Sequence, residues 1–173
     1  IESVKILPPD GENRVELYGA ITGDAVYLSE IENPKADRAI CMAVTSSDFN
    51  TEDGSPTSWS AAVDNIASGA DGSDTRRLFL VSSGNVYPDE LKESPYPDSN
   101  ILHRVENPGQ SWNALTVGAY CNNIEIESST YNRCQPVADV GELSPYSSTS
   151  VNWNSKWPIK PEVLLDGGNM VTN

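Results

Sequence analysis

The sequence predicts an α/β protein built on a mainly parallel sheet with crossover helices. Residues 78–81 (Leu-Phe-Leu-Val), 39–44 and 114–119 are apolar runs without polar alternation. Such runs indicate strands that are covered on both faces, as in the middle of a parallel sheet. A helical pattern lies between residues 44 and 78, so the flanking strands form a βαβ unit and are expected to be parallel.

The helix of this unit has the clearest pattern in the chain. Ser55 or Thr57 can cap its amino end, and Gly69 suits its carboxyl end. One apolar face is predicted from residues that recur at helical spacing, namely Trp59, Ala62, Val63 and Ile66.

The remaining elements follow from shorter patterns. Pro and Gly residues bound a first strand, and a last strand ends at Asp166-Gly167-Gly168. We predict strands at residues 4–7 and 161–165, an amphipathic helix at 23–32, a helical turn near Ile101, and irregular polar segments at 50–56 and 122–141.

Composition limits the classes of partner. The chain has 173 residues, 25 acidic and 11 basic, with a formal net charge of -14. Because like charges repel, nucleic acid and anionic membranes are not expected partners. No apolar run approaches the roughly 18 to 20 residues that span a bilayer. The chain opens at Ile1 on an apolar run without an initiator Met, so we expect a piece of a longer protein.

The three cysteines form no CxxC pair and therefore predict neither a disulfide framework nor a zinc site. Cys41 lies in an apolar run and is expected to be a buried thiol. Cys121 and Cys134 flank a loop and could pair only in an oxidising compartment.

Seven segments resemble segments of the subtilisin-like serine peptidases (subtilases), and they follow one another along the chain in the same order as in that family. Leu80-Val81-Ser82-Ser83-Gly84-Asn85 resembles the strand and loop that carry the oxyanion-hole asparagine of that family. Residues 143–148 resemble its "sfSs" loop, and residues 159–168 resemble its "KPDivapG" stretch. The other four segments are residues 4–7, 40–44, 61–69 and 115–119.

The resemblance implies a partial three-layer subtilisin-like fold, with residues 1–173 as the central part of one peptidase domain. In the family the Asp and His motifs of the triad precede these segments, and a Gly-Thr-Ser motif with the nucleophile follows them. No Gly-Thr-Ser occurs here, and the only histidine, His103, lies in a loop away from any expected triad position. The expected function is therefore part of a serine endopeptidase whose triad lies outside this chain.

The resemblance also assigns roles to residues at two strand ends. Asn85 would donate its side-chain amide to the oxyanion; otherwise it caps a turn. A peptide substrate would lie against Val44, Thr45 and Ser46, or these residues only terminate a strand. The opposite wall of the specificity pocket would be Ser82, Ser83 and Gly84, whose small side chains are compatible with a medium or large apolar substrate residue.

No cofactor is predicted, although subtilases often bind calcium through loop oxygens, and Asp53, Asp71 and Asp74 lie in loops. The expected partner is a peptide or protein substrate. Self-association of the chain is also expected, because missing flanking elements would leave a sheet edge uncovered.

Two alternatives remain open from the sequence. One is a non-catalytic protein-binding or regulatory module with a subtilase-like core. The other is a generic doubly wound nucleotide-binding domain, which predicts a Gly-rich loop after the first strand. Pro8-Pro9-Asp10-Gly11 does not supply that loop.

Overall fold

A computed structural model describes residues 1–48, 52–126 and 133–172. Its centre is a parallel sheet of four strands: β1 (Ala39–Met42), β2 (Leu78–Ser82), β3 (Ala114–Tyr120) and β5 (Val163–Asp166). They lie side by side in the order β1-β2-β3-β5. Two short strands, β4 (Gln135–Pro136) and β6 (Val171–Thr172), form a separate antiparallel pair. The predicted α/β fold with a mainly parallel sheet is confirmed.

The described residues contain four α-helices: α1 (Tyr18–Glu32) precedes β1, α2 (Ser58–Ser68) lies between β1 and β2, and α3 (Glu90–Glu93) and α4 (Asp98–Leu102) lie between β2 and β3. A 3₁₀ turn, Val15–Leu17, precedes α1. The predicted βαβ unit is β1-α2-β2, and α4 is the helical turn expected near Ile101. None of the helices in the described ranges combines the length and apolar character that a membrane span requires.

The ends of α2 follow from local chemistry. Of the two predicted caps, Thr57 is the residue used. Its hydroxyl accepts the main-chain N–H of Ser60, and the Ser60 hydroxyl accepts the N–H of Thr57 in return. Gly69 ends the helix with φ 82°, a left-handed conformation that glycine adopts without strain.

Helix α1 begins five residues earlier than predicted, and only part of its apolar side is buried. Val26 is 4% exposed, whereas Leu28 and Ile31, which are also apolar residues of the predicted helix, are 51% and 75% exposed. The contact with α2 instead runs through small residues. A Cβ atom on Gly19 would lie 2.7 Å from the Cβ of Ala62, so glycine is needed for this close approach. Spacing of large apolar residues alone could not identify that face.

The core lies between the sheet and helices α1 and α2. Phe79 and Val81 are buried against a cluster that includes Val26, Trp59, Val63 and Ile66. Leu78, on the other face of the same strand, is 55% exposed. The prediction that residues 78–81 are covered on both faces therefore holds for one face only, since alternate side chains point to opposite faces.

Three further predictions were wrong or shifted. Residues 4–7 form no strand, although Ile6 packs against the core. Cys41 is exposed, because it precedes the buried Met42 in β1 and therefore points to the face away from the core. The last strand begins at Val163, two residues later than expected.

Of the other two cysteines, Cys134 is half-buried and Cys121 is a free thiol. Cys121 is buried, and its Sγ lies 3.1 Å from the carbonyl oxygen of Gly168. The segments predicted to be irregular, 50–56 and 122–141, lie partly outside the described residues.

Candidate functional site: the carboxyl ends of β1 and β2

The predicted site residues lie at one edge of the sheet. Strands β1 and β2 are parallel neighbours with Met42 opposite Val81, so the segments that follow them leave the sheet side by side. Residues 44–46 follow β1, and residues 82–85 end β2 and continue from it. In open α/β sheets, ligands bind in the crevice beyond such carboxyl ends.

Only part of the segment that follows β1 takes part in main-chain pairing with other segments. Val44 and Thr45 are half-buried and take part in no strand pairing among the described residues. Ser46 differs, because its main-chain N–H and carbonyl both pair with Asn107 at 3.0 Å. Of the three residues assigned to main-chain substrate binding, Val44 and Thr45 are therefore the ones with unpaired backbone.

The segment at the end of β2 is held against two other loops. The Ser83 main-chain N–H donates to Val117 on β3 at 3.0 Å, and its carbonyl accepts the N–H of Glu106 at 2.9 Å. Gly84 has φ 101°, and a Cβ there would lie 2.7 Å from Cγ of Glu106. A side chain at position 84 would therefore collide with Glu106, which explains why glycine is required.

Asn85 is placed at the rim of this edge. Its main chain forms an antiparallel bridge with Ser147, and the following N–H, of Val86, donates to Tyr146 at 2.9 Å. The 144–147 turn is itself fixed from below by Asn100, whose buried amide donates to the carbonyls of Ser144 and Ser147. The Asn85 side chain is exposed and hydrogen-bonds to no residue in the described part of the chain. An amide donor on a fixed backbone therefore faces solvent.

The structure adds Glu106, a residue to which the sequence analysis assigned no role. Its Oε2 accepts a hydrogen bond from the Thr45 hydroxyl at 2.6 Å, while its backbone and Cγ contact Ser83 and Gly84. It thus lies between the two proposed pocket walls. The contact with Thr45 joins residues 61 positions apart, so no local pattern could have indicated it.

His103 is another residue that the structure places more specifically. Its Nδ1 lies 3.2 Å from Oε1 of Glu90, and its Nε2 lies 3.4 Å from Oε1 of Glu106. The hydrogen bond with Glu106, together with the charges of both carboxylates, raises the pKa of His103 despite the opposing effect of burial. The imidazole is therefore committed to carboxylates rather than facing a hydroxyl nucleophile.

The three candidate calcium ligands, Asp53, Asp71 and Asp74, do not form one acidic cluster in the described residues. Within residues 1–48, 52–126 and 133–172, no group of three or more acidic, His or Cys side chains could hold a metal ion. The Asp71 carboxylate already pairs with Arg77 at 3.2 Å and accepts the hydroxyls of Tyr27 and Ser73. The positive charge of this guanidinium would repel a divalent cation bound at Asp71.

Comparison with known proteins agrees with the fold. The model of the subtilase family matches residues 1–173, the whole chain. No curated protein and no solved structure matches the chain significantly. The chain belongs to the subtilase family. Subtilases are serine peptidases, so membership implies hydrolytic serine peptidase activity for the domain in general.

Proposed function

We propose that residues 1–173 are the central part of one subtilase domain and supply its oxyanion donor and pocket walls. The Ser, His and Asp of the triad would lie outside this sequence. Support comes from the family match over the full chain and from the motif content: there is no Gly-Thr-Ser, and His103 is held between two glutamates. The substrate would be a peptide or protein.

The observation that carries this proposal is the exposed amide of Asn85 on a fixed backbone. When a nucleophile attacks a peptide carbonyl, negative charge develops on the carbonyl oxygen. A neutral N–H donor that is already in place stabilises that charge without reorganising. The main-chain bridge to Ser147 and the bond from Val86 to Tyr146 provide this fixed position.

The same edge can accept an extended peptide. Val44 and Thr45 offer unpaired main chain, which can add a substrate strand to the sheet edge. Ser82, Ser83 and Gly84 would face the substrate side chain from β2. Their small volume leaves room beside the reacting carbonyl.

The test uses the full-length protein that contains this chain. We expect a fluorophosphonate probe to label one activated serine. Asn85→Ala should lower kcat by about 100- to 1000-fold with a smaller change in KM; this is the range known from a subtilisin for loss of one such donor. Asn65→Ala, at an exposed position on α2, is the matched control and should leave kcat unchanged.

Two outcomes would reject the proposal. If Asn85→Ala behaves like Asn65→Ala, the Asn85 side chain only caps a turn. If well-folded full-length protein is not labelled, the non-catalytic binding module is the better account.

The 173-residue chain by itself is expected to be inactive, because the sequence has no subtilase nucleophile motif. Hydrolysis of a peptide ester by the purified chain measures this. Turnover that disappears on Asn85→Ala, and is absent from a mock purification, would contradict it.

A further inference from the structure

A carboxylate occupies the place where the two proposed pocket walls meet. The Glu106 side chain is only 10% exposed. Its Oε2 accepts the Thr45 hydroxyl from one wall at 2.6 Å, and a Cβ on Gly84, in the other wall, would lie 2.9 Å from the same oxygen. The carboxylate therefore lies directly beside the residue that precedes Asn85.

This carboxylate also reaches open space. Glu106 lines a cavity of about 600 Å³ together with Val44, Thr45, Ser46 and Tyr87. The other charged residues that line it are Glu12 and Asp48, and none of its lining residues in the described chain is Lys or Arg. The electrostatic potential in the cavity is therefore negative, and no Lys or Arg in its lining would repel a cation that enters it.

The existing partners of Glu106 in the described chain include no Lys or Arg side chain. They are one neutral hydroxyl and one imidazole, and the imidazole is shared with Glu90. A partly buried carboxylate interacts more strongly with a cation than an exposed one does, because less water screens the pair. A guanidinium or ammonium group would satisfy it with a charge-assisted hydrogen bond.

From this geometry we propose that Glu106 is a specificity-determining residue that selects a Lys or Arg side chain in the peptide substrate. The residue selected is the one whose carbonyl is attacked, since Glu106 touches Gly84, the neighbour of the oxyanion donor. This inference rests on the proposed function. It differs from the expectation based on the small wall residues alone, which were compatible with a medium or large apolar substrate residue.

The experiment compares peptides that differ only at the residue before the scissile bond, cleaved by the full-length protein. Arginine is paired with citrulline, which has nearly the same shape and no charge; lysine is paired with norleucine. We expect kcat/KM to favour the charged member of each pair by about 10- to 100-fold, as for a hydrogen bond to a charged group.

Variants test whether Glu106 is the cause. Glu106→Gln keeps an oxygen that can accept the Thr45 hydroxyl but removes the charge. It should abolish most of the preference for arginine, measured as the ratio of kcat/KM for the arginine peptide to kcat/KM for the citrulline peptide. Glu93→Gln removes a charge from an exposed position on α3 and should retain the preference. If Glu106→Gln does not fold, the ratio of kcat/KM for the arginine and citrulline peptides, measured on the unmodified protein, decides whether the inference holds.

The possible failures are distinguishable. Equal cleavage of arginine and citrulline peptides, or an arginine preference that survives in folded Glu106→Gln, overturns this inference and leaves the proposed function standing. Absence of hydrolysis of every peptide by folded full-length protein overturns the proposed function and this inference with it.

Discussion

The hydroxyl of Thr45 donates a hydrogen bond to Oε2 of Glu106 across 2.6 Å. This bond ties the segment that follows β1 to the loop that leads into β3. The Glu106 side chain also packs against Gly84. This one carboxylate therefore sets the spacing between the carboxyl ends of β1 and β2. The geometry of the candidate pocket therefore depends on a polar contact between distant parts of the chain.

Thr45→Val should lower the free energy of unfolding by about 1 to 3 kcal/mol, because it leaves a largely buried carboxylate oxygen without its donor. Thr45→Ser keeps the hydroxyl and should cost much less. Urea denaturation followed by circular dichroism measures both. Equal stability of the Val and Ser variants would show that the hydrogen bond does not contribute.

The stability of the chain should depend on the protonation of His103. Glu106 and Glu90, the two carboxylates that contact its ring, raise the pKa of His103 above the ordinary value of 6.5. Since the folded-state pKa is the higher one, the protonated ring stabilises the fold fully below the unfolded pKa. That contribution is lost as the pH rises through the folded pKa.

The chain has only one histidine, so an NMR titration of the imidazole protons is unambiguous. Glu90→Gln removes one of the two carboxylates and should lower the measured pKa. A titration midpoint at or below 6.5 in the unmodified chain would contradict the interpretation of this contact.

Arg77 should be a major determinant of stability away from the candidate site. Its side chain is 4% exposed, and its guanidinium pairs with Glu30 on α1 at 2.6 Å and with Asp71 at 3.2 Å. It also donates to the Ile66 carbonyl near the end of α2 at 2.7 Å. Arg77→Met would leave two carboxylates without their cation and should cost about 3 to 5 kcal/mol. Arg76→Met, at an exposed neighbouring position, is the control for thermal and urea unfolding.

Acid should remove the contribution of Asp71. Hydrogen bonds from Ser73 and Tyr27, with the charge of Arg77, lower the pKa of Asp71 from 3.8 to about 2. Because the folded-state pKa is the lower one, the stabilisation is fully present above 3.8 and is lost as the pH falls towards about 2. Asp71→Asn should therefore be less stable than the unmodified chain at neutral pH, and the difference should shrink over that acidic range. A difference that is independent of pH would contradict this account.

Strand β5 should promote self-association of the 173-residue chain. Among the described strands it pairs only with β3, and its Val163, Leu164 and Leu165 are 37%, 43% and 61% exposed. An open edge with apolar side chains pairs readily with a second copy. Sedimentation velocity should show concentration-dependent association that Leu165→Lys reduces. A chain that stays monomeric over a wide concentration range would refute this expectation.

Much of the fold was predictable because its signals are local. The apolar runs of β2 and β3, the Thr57 cap and the Gly69 stop depend on neighbouring residues, and each occurs where the sequence placed it. The strand expected at residues 4–7 failed for a nonlocal reason. A strand requires a partner edge, and composition does not indicate whether that edge is available.

The candidate site also combines features with local sequence signals and features that depend on contacts between distant residues. Motifs of a few residues were enough to identify the family, the order of the strands along the chain and the candidates Asn85, Thr45 and Gly84. The chain must fold before Glu106 lies between Thr45 and Gly84, and before His103 lies between Glu90 and Glu106. The contacts of Glu106 with Thr45 and Gly84 form only when three loops come together beyond one edge of the folded sheet. The spacing of residues along the chain does not indicate that these loops are close in space.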